Sequence, residues 1–317
     1  MGVEKQEKVV VIIGPTAVGK TKLSIELAKT LNGEIISGDS MQIYRSMDIG
    51  TAKVTEEEMD GIPHYMIDIK NPEDSFSVAE FQELVRGHIE DVINRGKLPI
   101  IVGGTGLYVQ SVLYDYQFSD EPGDHAYRKR LEQLAEERGV EYIHGKLEEV
   151  DPISAKRIHP NNVRRVIRAL EIFHTTGQKM SDQLEQQENK LLYDVALIGL
   201  TMDRDLLYGR INLRVDNMME QGLLEEVKRL YEEGIRDCQS IQAIGYKELY
   251  EYFDGKISLE EAIIALKTNS RRYAKRQLTW FRNKMDVNWF DVTSGEKFRE
   301  ILQYTEGKLQ LKSNNKL

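Results

Sequence analysis

The chain has 317 residues, 40% of them hydrophobic, a single cysteine and a net charge of −9. That length allows about two domains with a real core, no apolar run nears the roughly 18 residues of a membrane span, and the lone Cys238 leaves neither a disulfide framework nor a Cys-based zinc site. With no apolar leader at the N-terminus, these features predict a cytoplasmic protein without membrane association, and the acidic average speaks against nucleic acid only where local patches do not override it.

The first predicted element is a buried strand over 9–13, and the chain that follows reads Gly14-Pro15-Thr16-Ala17-Val18-Gly19-Lys20-Thr21. This is the phosphate-loop pattern GxxxxGK[ST], followed as it must be by an amphipathic helix with Leu23, Leu27 and Leu31 on one face. Glycines let backbone N–H groups close around phosphate oxygens, and the helix N-terminus adds positive potential. Lys20 supplies a charge for the terminal phosphate, and the Thr21 hydroxyl is placed to ligate Mg²⁺. A strand over 34–37 then delivers Gly38-Asp39-Ser40-Met41-Gln42-Ile43-Tyr44. The Asp39 carboxylate either faces a bound phosphate compound or merely caps the turn. A weaker strand is predicted over 65–69 and a helix over 77–94. The strand 98–102 ends in Gly103-Gly104-Thr105-Gly106-Leu107-Tyr108, where an ATPase often has an acidic residue to handle water around Mg²⁺. Backbone amides and one hydroxyl hold anionic oxygens well and activate water poorly. Thr105 can serve there both as helix cap and as site hydroxyl. Strands alternating with helices predict a parallel sheet, whose ligands lie beyond the carboxyl ends of the strands.

From about 119 the pattern changes. A turn-rich link over 119–125 leads into a charged helical stretch over 127–176, then a polar, Gln-rich loop over 177–189. A strand over 195–200, helices over 203–221 and 223–233, a capping-box helix from Ser258 to about 285, a strand over 287–292 and a charged helix from 296 complete the chain. The predicted architecture is an α/β phosphate-loop core, built from 1–118 and 193–317 around a parallel sheet flanked by helices, with an all-helical insertion over 119–192. Two segments contain no acidic residue. One holds Lys156, Arg157, Arg164, Arg165 and Arg168; the other holds Lys267, Arg271, Arg272, Lys275, Arg276, Arg282 and Lys284. Basic residues beside Tyr273, Gln277 and Trp280 suit a helix that grips a sugar-phosphate backbone and touches a base; the two aromatic rings could equally belong to the core. Arg210 and Arg214, one helical turn apart, are candidate phosphate clamps or ordinary surface arginines.

Six stretches occur in order: GPTAVGKT at 14–21, DSMQIY at 39–44, GGTGLY at 103–108, NVRRVIRALE at 162–171, QAIGYKE at 242–248 and AKRQLTWFR at 274–282. On these the chain resembles the bacterial tRNA dimethylallyltransferases over nearly its whole length. The resemblance implies transfer of a dimethylallyl group from dimethylallyl diphosphate to N6 of the adenosine on the 3′ side of the anticodon. The phosphate loop, elsewhere a nucleotide- and ATP-binding device, would then hold a diphosphate leaving group through Gly14, Pro15, Thr16, Ala17, Val18, Gly19, Lys20 and Thr21, with Arg214 beside it and Mg²⁺ on Thr21. Asp39 would be the base, with Lys20 and Thr105 as further catalytic residues. Asp39, Ser40, Met41, Gln42 and Thr105 would contact the target adenosine. Arg128, Arg164, Arg165, Arg168, Arg271, Arg272, Lys275, Arg276, Gln277 and Arg282 would contact the rest of the tRNA, and the enzyme is expected to act as a monomer. Competing readings are a small-metabolite kinase, which leaves the basic segments unexplained, and an adenylate isopentenyltransferase, which needs neither insertion nor basic helix. A non-catalytic RNA-binding module would have no use for Asp39 and Thr105 beside a phosphate loop.

Overall fold

The computed structural model describes residues 6–116, 124–186 and 190–311; most of the predicted link at 119–125 lies outside them. The first elements are β1 (Lys8–Ile13), α1 (Lys20–Leu31), β2 (Gly33–Ser37), α2 (Glu56–Met59), β3 (His64–Tyr65), α3 (Val78–Asn94), β4 (Leu98–Gly103) and α4 (Gly106–Leu113). Five helices follow: α5 (His125–Arg138), α6 (Val140–Val150), α7 (Pro152–Arg157), α8 (Val163–Thr176) and α9 (Met180–Gln186). The chain then forms β5 (Asp194–Thr201), α10 (Arg204–Glu220), α11 (Leu223–Glu232), α12 (Tyr246–Phe253), α13 (Leu259–Lys284), β6 (Asn288–Asp291) and α14 (Phe298–Lys308).

The six strands make one sheet in the order β3-β2-β4-β1-β5-β6, with every pair parallel. In the centre Val10 lies opposite Ile100 on one side and Ala196 on the other. Strands covered on both faces read as unbroken apolar runs. Accordingly Val9, Val10, Val11, Ile12 and Ile13 are all fully buried, each stabilising the core by about 1.5–3 kcal/mol. Because the strands are parallel, the loops after β1, β2 and β4 leave one edge together, which brings 14–19, 38–44 and 104–105 side by side. Ser77 caps α3 through Glu80, and Ser258 with Glu261 closes the capping box of α13. Among the described residues no helix is long and apolar enough to cross a membrane.

The chain divides into two compact units, one drawn from Met1–Leu113 and Leu191–Leu317, the other from Tyr114–Lys190. The second has its own core of Leu131, Ile143, Leu147, Val166 and Leu170. The expected loop over 177–189 is in part helical. Gly177 ends α8 in the left-handed conformation, and α9 then forms because Met180 packs on that core and the Ser181 amide donates to Asp151 Oδ2 at 3.0 Å. Gln and Glu are also good helix formers, so a polar composition did not mean an irregular backbone. The weak strand expected over 65–69 shrinks to His64–Tyr65, because Met66 and Asp68 take positive φ values of 64° and 54° that end the extended run.

Candidate active site

The site starts at the N-terminus of α1. Gly19 precedes it with φ 105°, a left-handed conformation open to glycine, and no side chain caps the helix there. Its first amide groups are thus left to point into a cleft of about 950 Å³ that Thr16, Lys20, Asp39, Gly104, Arg214 and Tyr273 help to line. Lys20 Nζ donates to the carbonyls of Gly14 at 3.0 Å and Pro15 at 2.8 Å. Burial, reinforced by the nearby Arg214 charge and opposed by Asp39, pulls the Lys20 ammonium down to about 7. Burial also lowers Arg214 from its ordinary value, against the pull of Glu58. Its guanidinium reaches Thr16 Oγ1 at 3.4 Å. Arg210 lies elsewhere, lining a separate cavity of about 280 Å³ with Lys22 and Phe298.

Asp39 caps its own turn and also lines the cleft. Oδ1 accepts the Met41 amide at 2.8 Å and so shapes its own turn. Burial pushes its carboxyl above the ordinary value, partly countered by the amides of Met41 and Gln42 and by Lys20. Gln42 is fixed by Ser37 Oγ, which donates to its Oε1 at 3.0 Å, and by the Thr51 and Ala52 carbonyls, each 3.2 Å from its Nε2. Ser40 and Met41 line a second cavity of about 290 Å³, whose walls come from α10, α13 and residues 50–52 and 242–247. Thr16, Asp39, Thr51, Ala52, Arg214, Met218 and Tyr273 line both cavities. Asp39 therefore stands where the two meet.

Thr105 opens α4, where its carbonyl accepts the Val109 amide, while its hydroxyl lies 3.5 Å from Ser40 Oγ. Burial and the neighbouring Asp39 charge, opposed by the polar groups of Thr105 and Gln277, push the Tyr273 phenol up to about 12. Gln277 corrects an expectation. It is only 5% exposed, accepting the Thr16 amide at 2.9 Å and donating to the Gly104 carbonyl at 3.0 Å. Its amide joins the phosphate loop to the loop after β4, and the side chain lines the cleft rather than the exposed face of α13. Gly104 must be glycine there, since a Cβ would collide with the Gln277 side chain. Trp280 lies against Gly106 with its Nε1 buried, which places the ring on the protein side of α13.

The basic segments separate into braces and free surface. Arg271 is half-buried and donates to Asn212 Oδ1 at 2.6 Å and Thr268 Oγ1 at 3.1 Å, so it ties α13 to α10. Arg272, Lys275, Arg276 and Arg282 are exposed. In the other unit, Arg128 and Arg168 bond to Glu171, which is fully buried, at 2.6 and 2.7 Å. Burial raises that carboxyl, but the two bonds outweigh it and hold it below its ordinary value. Both guanidinium groups are partly exposed and either still pairs with Glu171 when the other is removed, so each single loss is a modest one. Arg164 and Arg165 are exposed. The sequence reading missed the wall formed by Asp48, Thr51, Ala52 and Lys53, and no local pattern marks it.

Residues 42–284 match the IPP transferase family. The chain is 83% identical over 313 residues to a tRNA dimethylallyltransferase of Bacillus cytotoxicus, covering 98% of this chain and 99% of that one. It is also similar to solved structures. The tRNA isopentenylpyrophosphate transferase of Bacillus halodurans is 58% identical, with a TM-score of 0.74 over 96% of this chain and 97% of that one. A eukaryotic dimethylallyltransferase acting on tRNA is 36% identical, with a TM-score of 0.78 over 90% of this chain and 74% of that one. A phosphate loop facing a carboxylate, carried on a chain with these relatives, has one family placement: this protein belongs to the IPP transferases.

Proposed function

We infer that this protein transfers the dimethylallyl group of dimethylallyl diphosphate to N6 of the adenosine on the 3′ side of the anticodon in tRNA. The observation that carries this reading is the position of Asp39 at the junction of two cavities: Thr16, Ala17, Gly19, Lys20 and Thr21 of the phosphate loop line the larger, whereas only Thr16 of that loop reaches the smaller. The diphosphate lies on the amides at the start of α1, replaces the Gly14 and Pro15 carbonyls as acceptor for Lys20, and has Arg214 beside it. The adenine, swung out of its stack, enters from the other side past Ser40 and Met41.

Adenine N6 is a weak nucleophile because its lone pair is delocalised into the ring. The donor compensates, since its C1 bears cationic character as the bond to diphosphate lengthens. N6 attacks C1, the C1–O electrons leave with diphosphate, and the N6 proton passes to the Asp39 carboxylate. Burial that raises Asp39 makes it a better base, and Lys20, Arg214 and Thr105 meet the charge gathering on the leaving group. Ile49, Val102 and Met218 line the cleft with apolar surface, which keeps water from the allylic carbon.

Mg²⁺ fits as a partner of the diphosphate rather than as a resident ion. Among the described residues no three acidic, His or Cys side chains group to hold a metal, whereas the Thr21 hydroxyl opens on the cleft. One protein oxygen beside substrate phosphates is an ordinary Mg²⁺ arrangement. When bound, the ion offsets negative charge on the diphosphate. All groups in this reading come from one copy of the chain, so a monomer suffices, and the cytoplasm is where its tRNA is found.

Nucleosides from the product tRNA should contain N6-dimethylallyladenosine at that one position, and a tRNA with guanosine there should stay unlabelled. Label in the guanosine tRNA would overturn the reading. On α13, the double variant Arg272→Ala, Lys275→Ala should weaken tRNA binding at all salt concentrations and flatten the log–log salt slope by about 2. Filter binding between low and high salt checks this; an unchanged slope would remove that face from the RNA surface.

A further inference from the structure

The turn over 47–52 is held by an unusual anchor. Glu226, on α11, is 6% exposed. Its Oε2 accepts the amides of Asp48 and Ile49, both at 2.9 Å, while Oε1 accepts the Gly50 amide at 3.1 Å and the Tyr246 hydroxyl at 2.5 Å. Among the described residues no Lys, Arg or His pairs with this carboxylate. Its charge is met entirely by four directed donors, three of them successive backbone amides. Tyr246 is fully buried and packs against Gly50, where a Cβ would come within 2.5–2.8 Å of its Cε2, Cζ and hydroxyl oxygen. A buried carboxylate left without such donors is strongly disfavoured, so the arrangement favours one conformation of the turn.

That conformation reaches the reacting centre through hydrogen bonds. The Thr51 hydroxyl donates to the Met47 carbonyl at 2.6 Å, and the Ala52 amide to the Ile49 carbonyl at 3.0 Å. The Thr51 and Ala52 carbonyls hold Gln42, Gln42 accepts from Ser37 Oγ, and that oxygen lies 3.4 Å from the Asp39 amide. Gly50, Thr51 and Ala52 also line the smaller cavity, as does Leu223 from the same helix as Glu226. The carboxylate thus ties the turn that lines this cavity to α11.

We propose that Glu226, with Tyr246, is a positioning residue for the acceptor: it sets the spacing of the adenine cavity and the aim of Asp39 without touching either substrate. This rests on the assignment of the smaller cavity to the adenine. Small misplacements at a reacting centre are costly, so Glu226→Gln should lower kcat about ten-fold or more. The KM for dimethylallyl diphosphate and the Kd for tRNA should both stay within two-fold, because the phosphate loop and the basic surface are untouched. Tyr246→Phe keeps the ring on Gly50, removes one donor and should shift kcat the same way by a smaller factor. A folded Glu226→Gln protein with wild-type kcat, or one in which donor KM and tRNA Kd worsen in step with kcat, overturns the proposal. Should Glu226→Gln not fold, a wild-type kcat for Tyr246→Phe does the same. Asp39→Asn run alongside separates the two levels: an active Asp39→Asn enzyme sinks the base assignment itself, whereas an inactive one beside an unaffected Glu226→Gln sinks only the clamp.

Discussion

Asp39→Ala should lower the single-turnover rate of prenyl transfer by about three orders of magnitude, the range expected for loss of a general base, while tRNA affinity stays within a few-fold. The asymmetry follows from where the residue sits. Asp39 is at the meeting of the two cavities, whereas the exposed cations proposed to attract RNA, such as Arg272 and Lys275, lie along α13. Rapid-quench kinetics at saturating tRNA and donor, paired with equilibrium binding, separates the two quantities. A parallel loss of rate and affinity would mean that Asp39 serves the fold of the 38–44 turn, to which its bond with the Met41 amide also contributes. Because burial raises this carboxyl, the wild-type rate should also fall as pH drops through its elevated pKa.

Lys20→Ala should cost about two to three orders of magnitude in kcat, as removal of a donor aimed at developing charge does in other enzymes. Its more specific signature is in pH. The ammonium is pulled down to about 7 in the free protein, while a bound diphosphate favours the charged form. Donor binding above pH 7 must therefore take up a proton, and below pH 7 it need not. Affinity for dimethylallyl diphosphate should be flat below pH 7 and then decline by up to about ten-fold per pH unit, the limit for one linked proton. Calorimetry in buffers of different ionisation enthalpy reads the proton directly. In Lys20→Ala the decline should vanish; if it persists, another group carries the linkage.

The sheet was legible because its central strands are covered on both faces, so that residues 9–13, 98–102 and 195–200 stand out as apolar runs. Edge strand β3 was not, since its ending depends on left-handed residues that no side-chain pattern announces. Helix α12 also escaped detection: it is only eight residues long and buries Glu248 beside Tyr246 and Leu249, which breaks the expected apolar stripe. At the site, the phosphate loop and the position of Asp39 follow from local motifs and from parallel-strand geometry. Gln277 shows the limit of such reading. Helical spacing placed it beside Tyr273 correctly, yet could not tell that this face turns inward to the phosphate loop. Glu226 was invisible for a related reason, since its four donors are 20 to 178 residues away. Arg128 was assigned to RNA by resemblance, and Arg168 and Arg271 by resemblance and by their place in acid-free basic segments; each also spends bonds on holding the protein together.

The most direct test of the account is a single incubation of purified protein and Mg²⁺ with unmodified tRNA and radiolabelled dimethylallyl diphosphate, with parallel tubes offering AMP as acceptor or ATP in place of the donor. The account predicts label on tRNA alone, with one diphosphate released for each group transferred. Label on AMP with none on tRNA, or consumption of ATP without transfer, would contradict it.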